Sequence, residues 1–225
     1  MKERSIDKAT LQMIERAKCE NICTVFDRSD QQEPRCGFGD LGVCCQQCYM
    51  GPCRVDPFGN GAQYGACGID ADGIVARNIA RATAVGASAH SDHGRDVSHN
   101  LLMTALGKVQ GYEIKDERKL MVLAQELGID TSGGDIKNLA AEVAEKCLAE
   151  FGQQHGELNF IQRAPDKQKE RWRKLKVMPR GIDREIVEVL HMVHMGMDAD
   201  YYNTLLHAIK AALGDGWGGS MIATD

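Results

Sequence analysis

Apolar residues recur at intervals of three and four through most of the chain, the spacing of one buried helix face. The first such run predicts a helix over 5–20, capped by Asp7, with Leu11, Met13, Ile14 and Ala17 facing inward. A shorter helix is predicted over 22–28. Asp70 or Asp72 then opens a long helical run with Ile74, Val75, Ile79, Ala82 and Val85 on its apolar side. The same run is rich in small residues (Ala80, Ala82, Ala84, Gly86, Ala87, Ala89), which permit close packing. Asp116 starts a helix that reaches Leu127 and stops at Gly128. Asp135 starts another, with Ile136, Leu139, Ala140, Val143, Cys147 and Phe151 on one face and Gly152 at its end. Residues 152–160 read as loop. Asp183 opens a helix with Ile186, Val187, Leu190 and Val193 inside and Gly196 after it, and a last helix runs from about Asp200 to Leu213 before Gly214. The tail after Gly214 reads as the start of a connection. No run alternates as a strand does, and neither a repeat nor a phosphate-binding glycine loop is present. The expected fold class is therefore all-α: one multi-helix domain over 1–225 with an irregular cysteine-rich loop over 36–67.

That loop breaks the helical pattern and concentrates the chemistry. Six of the nine cysteines fall within 32 residues, and Cys45, Cys48, Cys53 and Cys67 form C-x2-C-x4-C-x13-C. Four thiolates suffice for one tetrahedral iron–sulfur cluster. Gly51 and Pro52 favour a compact turn, and Gly59, Gly61 and Gly65 loosen the return to the fourth cysteine. Cys36 and Cys44 remain as half a ligand set. Either a two-fold dimer shares one cluster between two such pairs, or Cys19 and Cys23 supply the other two thiolates. The shared arrangement is the simpler, and Cys19 and Cys23 read as small buried residues. A disulfide framework fits poorly with an odd cysteine count and no export signal. A structural zinc site usually pairs two C-x2-4-C units, and the second unit is missing here.

Composition narrows the rest. At 225 residues and 43% hydrophobic, the chain can build a substantial core. A net charge of −5 gives no reason to expect nucleic acid, and no apolar run approaches a membrane span. A reducing cytoplasm is the expected compartment. Residues 163–180 are basic and read as a solvated helix face or a docking patch for an acidic partner. His90, His93 and His99 lie on a three-residue grid with Asp96 in the remaining slot. On a helix this is a spiral strip of titratable groups, either a proton path or a solvated polar face. His191 and His194 have no metal-motif neighbours and read as packing or surface residues.

The segments CGFGDLGVCCQQCYMGPCR, YGACG, IVARN and AHSDHGRDVSH, with GID at 181–183, HMGMD at 194–198 and the terminal ATD, together resemble the amino-terminal part of the nickel-dependent carbon monoxide dehydrogenases of anaerobes. The resemblance implies that Cys45, Cys48, Cys53 and Cys67 hold the [4Fe–4S] cluster called B, one per chain. It implies that Cys36 and Cys44, with the same pair of a second subunit, hold the shared D cluster of a homodimer. It assigns His90, His93 and His99 to a histidine ladder that carries protons. Asp96 departs from the fuller ladder, and a carboxylate is ordinarily ionised near neutrality. The family oxidises carbon monoxide with water to carbon dioxide, two protons and two electrons at a nickel–iron–sulfur cluster in Rossmann-like domains, which this chain does not contain. The chain is then expected to be the amino-terminal relay domain of a longer oxidoreductase, passing electrons to a ferredoxin-like acceptor, with acetyl-CoA synthase or a hydrogenase as further candidate partners. A stand-alone iron–sulfur carrier, a hybrid-cluster-type fragment and a zinc-stabilised interaction module are the alternatives.

Overall fold

The computed structural model describes residues 4–194 and 197–225, and the expected stop at Gly196 lies outside them. The chain divides into two compact units, 1–41 and 42–225. In the first, α1 (Lys8–Cys19) is capped by Asp7, whose carboxylate accepts the Thr10 N–H at 2.7 Å. A Thr24–Asp27 capping box starts α2 (Val25–Asp30), and α3 is the single turn Gly37–Asp40. Leu11, Ile14 and Ala17 are half-buried, but Met13 is exposed. Cys19 and Cys23 are exposed too, contrary to their reading as buried residues. The helix ends at Cys19 and Asn21 turns left-handed at φ 53°, so the two never share a helix face.

The second unit is organised around α4 (Ala71–Ala105), 35 residues and about 52 Å long. Asp70 caps it, accepting the Gly73 N–H at 2.8 Å. Replacing Asp70 with alanine is expected to cost about 1 kcal/mol, read as a lower thermal midpoint. The buried face of α4 carries Gly73, Arg77, Ala80, Ala84, Ala87, Ser91, Gly94 and Ser98, a step of three or four each time, then Ala105 seven residues on, and most of these are small. Ile79, Ala82 and Val85, expected inside, are exposed. Ile74 is fully buried as expected and Val75 half-buried; beyond them, small side chains on the buried stripe let neighbouring backbones come close, which leaves Ile79 and Val85 outside. The closest approach is at Gly94, where a Cβ would meet the Gly219 carbonyl oxygen at 2.8 Å.

Packed on α4 are α6 (Ile136–Gly152), α8 (Ile182–Met192) and α9 (Tyr201–Gly214), with α5 (Glu117–Glu126) lying against α6. The core runs through Leu139, Val143, Phe151, Leu158, Ile161, Ile182, Val189 and Val193, with Cys147 in it as expected. Helix α8 starts at Gly181 rather than at Asp183, and Gly181 is pressed so close to the Gln153 and Glu150 carbonyls that a Cβ there would stand 2.9 and 3.1 Å from them. Asp183 instead accepts bonds from Ser91 and Arg95 of α4. Val187 is exposed.

Helix α9 does not end at Gly214. It continues through a π-helical turn, Asp215–Gly219, into α10 (Ser220–Thr224), so the tail is helical and folds back on α4. Two of its glycines serve packing rather than termination: a Cβ at Gly218 would meet Ile182 Cγ1 at 2.6 Å and one at Gly219 the His90 carbonyl carbon at 3.1 Å. Part of the basic stretch around α7 (Asp166–Lys174) is tied down within the chain. Arg173 pairs with Glu157, Arg163 with Glu126 and Asp225, and Arg180 with Glu185 and Glu188. The cysteine loop contributes a small antiparallel ladder, β1 (Cys44–Cys45) with β2 (Cys53–Arg54), too short to show alternation in sequence. No helix among the described residues is long and apolar enough to cross a membrane.

Candidate metal centre

The β1–β2 ladder sets the geometry of the cysteine loop. Cys45 lies directly opposite Cys53, and Cys44 opposite Arg54. Adjacent residues of a strand project to opposite faces, so Cys44 and Cys45 face different surroundings. Between the strands the chain turns tightly. Gly51 N–H donates to the Cys48 carbonyl at 3.1 Å, and a Cβ on Gly51 would stand 3.0 Å from the Cys45 carbonyl oxygen. Only glycine permits that approach.

Cys67 arrives on the loop after β2. Asp56 ties the start of that loop by accepting the Phe58 and Asn60 N–H groups at 2.8 and 3.1 Å. Gly65 N–H donates to the Ile69 carbonyl at 2.8 Å, and Gly68 turns left-handed at φ 86°. Val55, Ile69 and Ile74 pack with Cys45 into a small apolar floor.

Above this floor is an open cavity of about 690 Å³, lined by Cys45, Cys48, Cys53 and Cys67 together with Arg77 and His194. The structure thus brings four of the six candidate cysteines around one space. Among the described residues no three His, Cys, Asp or Glu side chains converge as they would on a single ion. A zinc site needs four sulfurs each about 2.3 Å from one point. The four cysteines instead line one volume, and that volume has room for a multi-atom cluster.

The surroundings fit the same group. Ala66 N–H donates to Cys53 Sγ at 3.4 Å and Arg77 Nη1 to Cys67 Sγ at 3.6 Å, contacts that favour thiolates. Burial pushes the Cys67 thiol up, but the Arg77 hydrogen bond, a backbone hydrogen bond at Ile69 and the Arg77 charge outweigh it. The net shift is below the ordinary 9.0, toward the ligating form. Gly65 stands close to this donor set: a Cβ there would meet Cys53 Sγ at 3.6 Å and Ile69 Cγ2 at 3.0 Å.

Cys44 does not line the cavity. It is half-buried, Gln46 Nε2 donates to its Sγ at 3.8 Å, and its carbonyl accepts from Asn78 of α4 at 3.1 Å. Cys36 is exposed at the start of α3, in the first unit. His90, His93, Asp96 and His99 all lie on α4, exposed and in the predicted three-residue steps. His90 Nδ1 is 2.8 Å from Asp215 Oδ1.

Three residues of these sites escape the sequence reading. Asp215 belongs to a tail read as non-helical. His194 follows α8 and reads as packing or surface. Arg77 sits in the IVARN segment, and its one signal is a lone arginine on a stripe of small residues.

Cys147 stays apart from the site. Burial first, then the charges of Glu150 and Asp225, push its thiol up to about 12. Iodoacetamide at pH 8 is expected to modify the exposed Cys19 and Cys23 and to spare Cys147 until the protein is denatured, as peptide mass mapping would read.

The profile of the Prismane/CO dehydrogenase family matches residues 43–225. Carbon monoxide dehydrogenase 1 of Methanosarcina mazei is 50% identical over 223 residues, covering 99% of this chain and 36% of that protein. Carbon monoxide dehydrogenase 1 of Carboxydothermus hydrogenoformans is 44% identical over 95% of this chain and 34% of its own length. The chain therefore spans about a third of the curated relatives it matches. Among solved structures, a Ni-free carbon monoxide dehydrogenase from Thermococcus sp. AM4 superposes with a TM-score of 0.91 at 48% identity, over 98% of this chain and 35% of that one. An acetyl-CoA synthase/carbon monoxide dehydrogenase superposes at 0.89 with 38% identity, over 98% and 33%.

Proposed function

Because the chain belongs to the Prismane/CO dehydrogenase family, we propose that residues 1–225 act as one iron–sulfur domain, the electron-relay and dimerisation part of a carbon monoxide dehydrogenase. The observation that carries the reading is the ring of Cys45, Cys48, Cys53 and Cys67 around a single cavity with a buried arginine at its wall. These four thiolates would hold a [4Fe–4S] cluster. Cys44, on the other face of the ladder, would join Cys36 and the same pair of a second subunit in holding a shared cluster. Bound clusters of this kind supply one-electron couples. The chain's own residues position the thiolates, donate N–H bonds to sulfur and keep one side of the centre apolar.

The oxidation of carbon monoxide by water, with its nickel–iron–sulfur site, would fall to the two thirds of the relatives that residues 1–225 do not match. Here Cys147 is the remaining cysteine after Cys67, and it is buried with a raised pKa. The protons of that reaction would leave past His90, His93 and His99. Asp215 Oδ1, 2.8 Å from His90 Nδ1, can accept from that nitrogen and would orient the ring. The electrons would pass to a ferredoxin-like acceptor. Acetyl-CoA synthase and a hydrogenase are the candidate stable partners; a solved relative at 38% identity is an acetyl-CoA synthase/carbon monoxide dehydrogenase, which supports the first. A reducing cytoplasm suits the thiols.

The test is iron, sulfide, zinc and nickel analysis with native mass on the anaerobically purified 225-residue chain. About six irons per chain in a dimer, without nickel, is expected for one private cubane and half a shared one. About one zinc per chain with little iron, persisting after cluster reconstitution, would overturn the reading.

A further inference from the structure

Arg77 is the bulkiest of the fully buried side chains, only 2% exposed, on the stripe where α4 otherwise buries glycine, alanine and serine. A guanidinium stays charged in any protein environment, and burying it without a counter-charge costs several kcal/mol. No carboxylate among the described residues pairs with it. Its Nη2 donates to the Asp198 carbonyl at 2.6 Å and its Nη1 to Cys67 Sγ at 3.6 Å. Its Nε is buried and has no hydrogen-bond partner among the described residues. The wall of the thiol-lined cavity is where this charge lies. A permanent cation is thus buried against the one place in the unit where four cysteines could carry negative charge.

We infer that Arg77 is a positioning residue that supplies the counter-charge of the candidate centre and raises the reduction potential of the cluster bound there. The inference rests on the iron–sulfur reading above. Four thiolates around an iron–sulfur core form an anion whose negative charge grows by one on reduction. A fixed cation beside it therefore stabilises the reduced form more than the oxidised form. The electron comes from the reductant, no bond forms or breaks, and Arg77 keeps its proton. Because Nη2 is also fixed to the Asp198 carbonyl, the guanidinium cannot swing away to solvent, and its charge acts at constant distance.

The experiment is a redox titration followed by electron paramagnetic resonance on the full-length protein, purified anaerobically. The cluster is identified as the signal lost in Cys48→Ala. Arg77→Met and Arg77→Gln remove the charge; Arg77→Lys keeps it. The neutral variants are expected to load iron and to disfavour reduction at least tenfold, about 59 mV more negative for one electron. Arg77→Lys is expected to recover most of that shift. Loss of iron from both neutral variants with retention in Arg77→Lys would also support the counter-charge role. An unchanged midpoint in an iron-loaded neutral variant would overturn it and leave the cluster assignment standing, as would loss of iron from all three variants. Wild-type protein with no signal dependent on Cys48 would overturn the cluster assignment itself.

Discussion

Cys44→Ala and Cys45→Ala, neighbours in sequence, are expected to remove different amounts of iron. Cys45 lines the cavity with Cys48, Cys53 and Cys67, so its loss should empty a whole cubane, about four irons per chain. Cys48→Ala should do the same. Cys44 projects from the opposite face of the ladder, opposite Arg54. Its loss should remove only this chain's half of a shared cluster, about two irons, and should weaken the dimer. Cys36→Ala should match Cys44→Ala in both respects. Iron and sulfide analysis with native mass reads all four variants. Equal losses from Cys44→Ala and Cys45→Ala would mean that the tandem cysteines serve one centre. Unchanged iron in Cys48→Ala would remove Cys48 from the ligand set, and an intact dimer with full iron in Cys36→Ala would remove Cys36.

Much of this centre is legible in the chain because its signal is local. Cysteine spacing and turn residues need no knowledge of long-range contacts, and the helix caps at Asp7, Asp70, Asp116, Asp135 and Asp200 are local too. What fails is whatever depends on a distant neighbour. Bulk predicts an apolar side of α4 through Ile74, Val75, Ile79, Ala82 and Val85; Ile74 is buried, but farther along packing against α9 and the π-helical turn selects the small residues instead. Gly214 reads as a helix stop because glycine favours C-termini, yet the helix runs on through it into the π-helical turn, where Gly218 packs on Ile182 and Gly219 on the His90 backbone. From that one misreading follows the omission of Asp215 beside His90. Arg77 escapes for a related reason: an arginine on a helix is usually a surface residue, and only the cavity beneath it gives its burial a meaning.

A large loss of stability is expected far from the cysteines, at Glu185. This carboxylate is almost wholly buried and accepts from Arg180 N–H at 2.8 Å, from Arg180 Nε and Nη2 at 3.0 Å, and pairs with Lys210 Nζ at 3.0 Å. It joins the segment before α8 to α9. Glu185→Gln removes the charge and keeps the volume, leaving the Lys210 ammonium, itself largely buried, without its main partner. Breaking a buried pair from one side costs about 3–5 kcal/mol. The pH dependence gives a second reading. Burial pushes the Glu185 carboxyl up, but Arg180 and Lys210 pull it further down, to a net value below the ordinary 4.5. A carboxyl whose folded pKa is depressed contributes stability that is complete above its unfolded pKa and is lost as pH falls through the folded one. The difference in stability between wild type and Glu185→Gln should therefore be constant above about pH 5.5 and shrink as the pH drops below about 4.5. Urea denaturation at matched iron loading measures both. A neutral-pH difference below about 1 kcal/mol would mean that Glu188, which also reaches Arg180 and Lys210, supplies the counter-charge on its own.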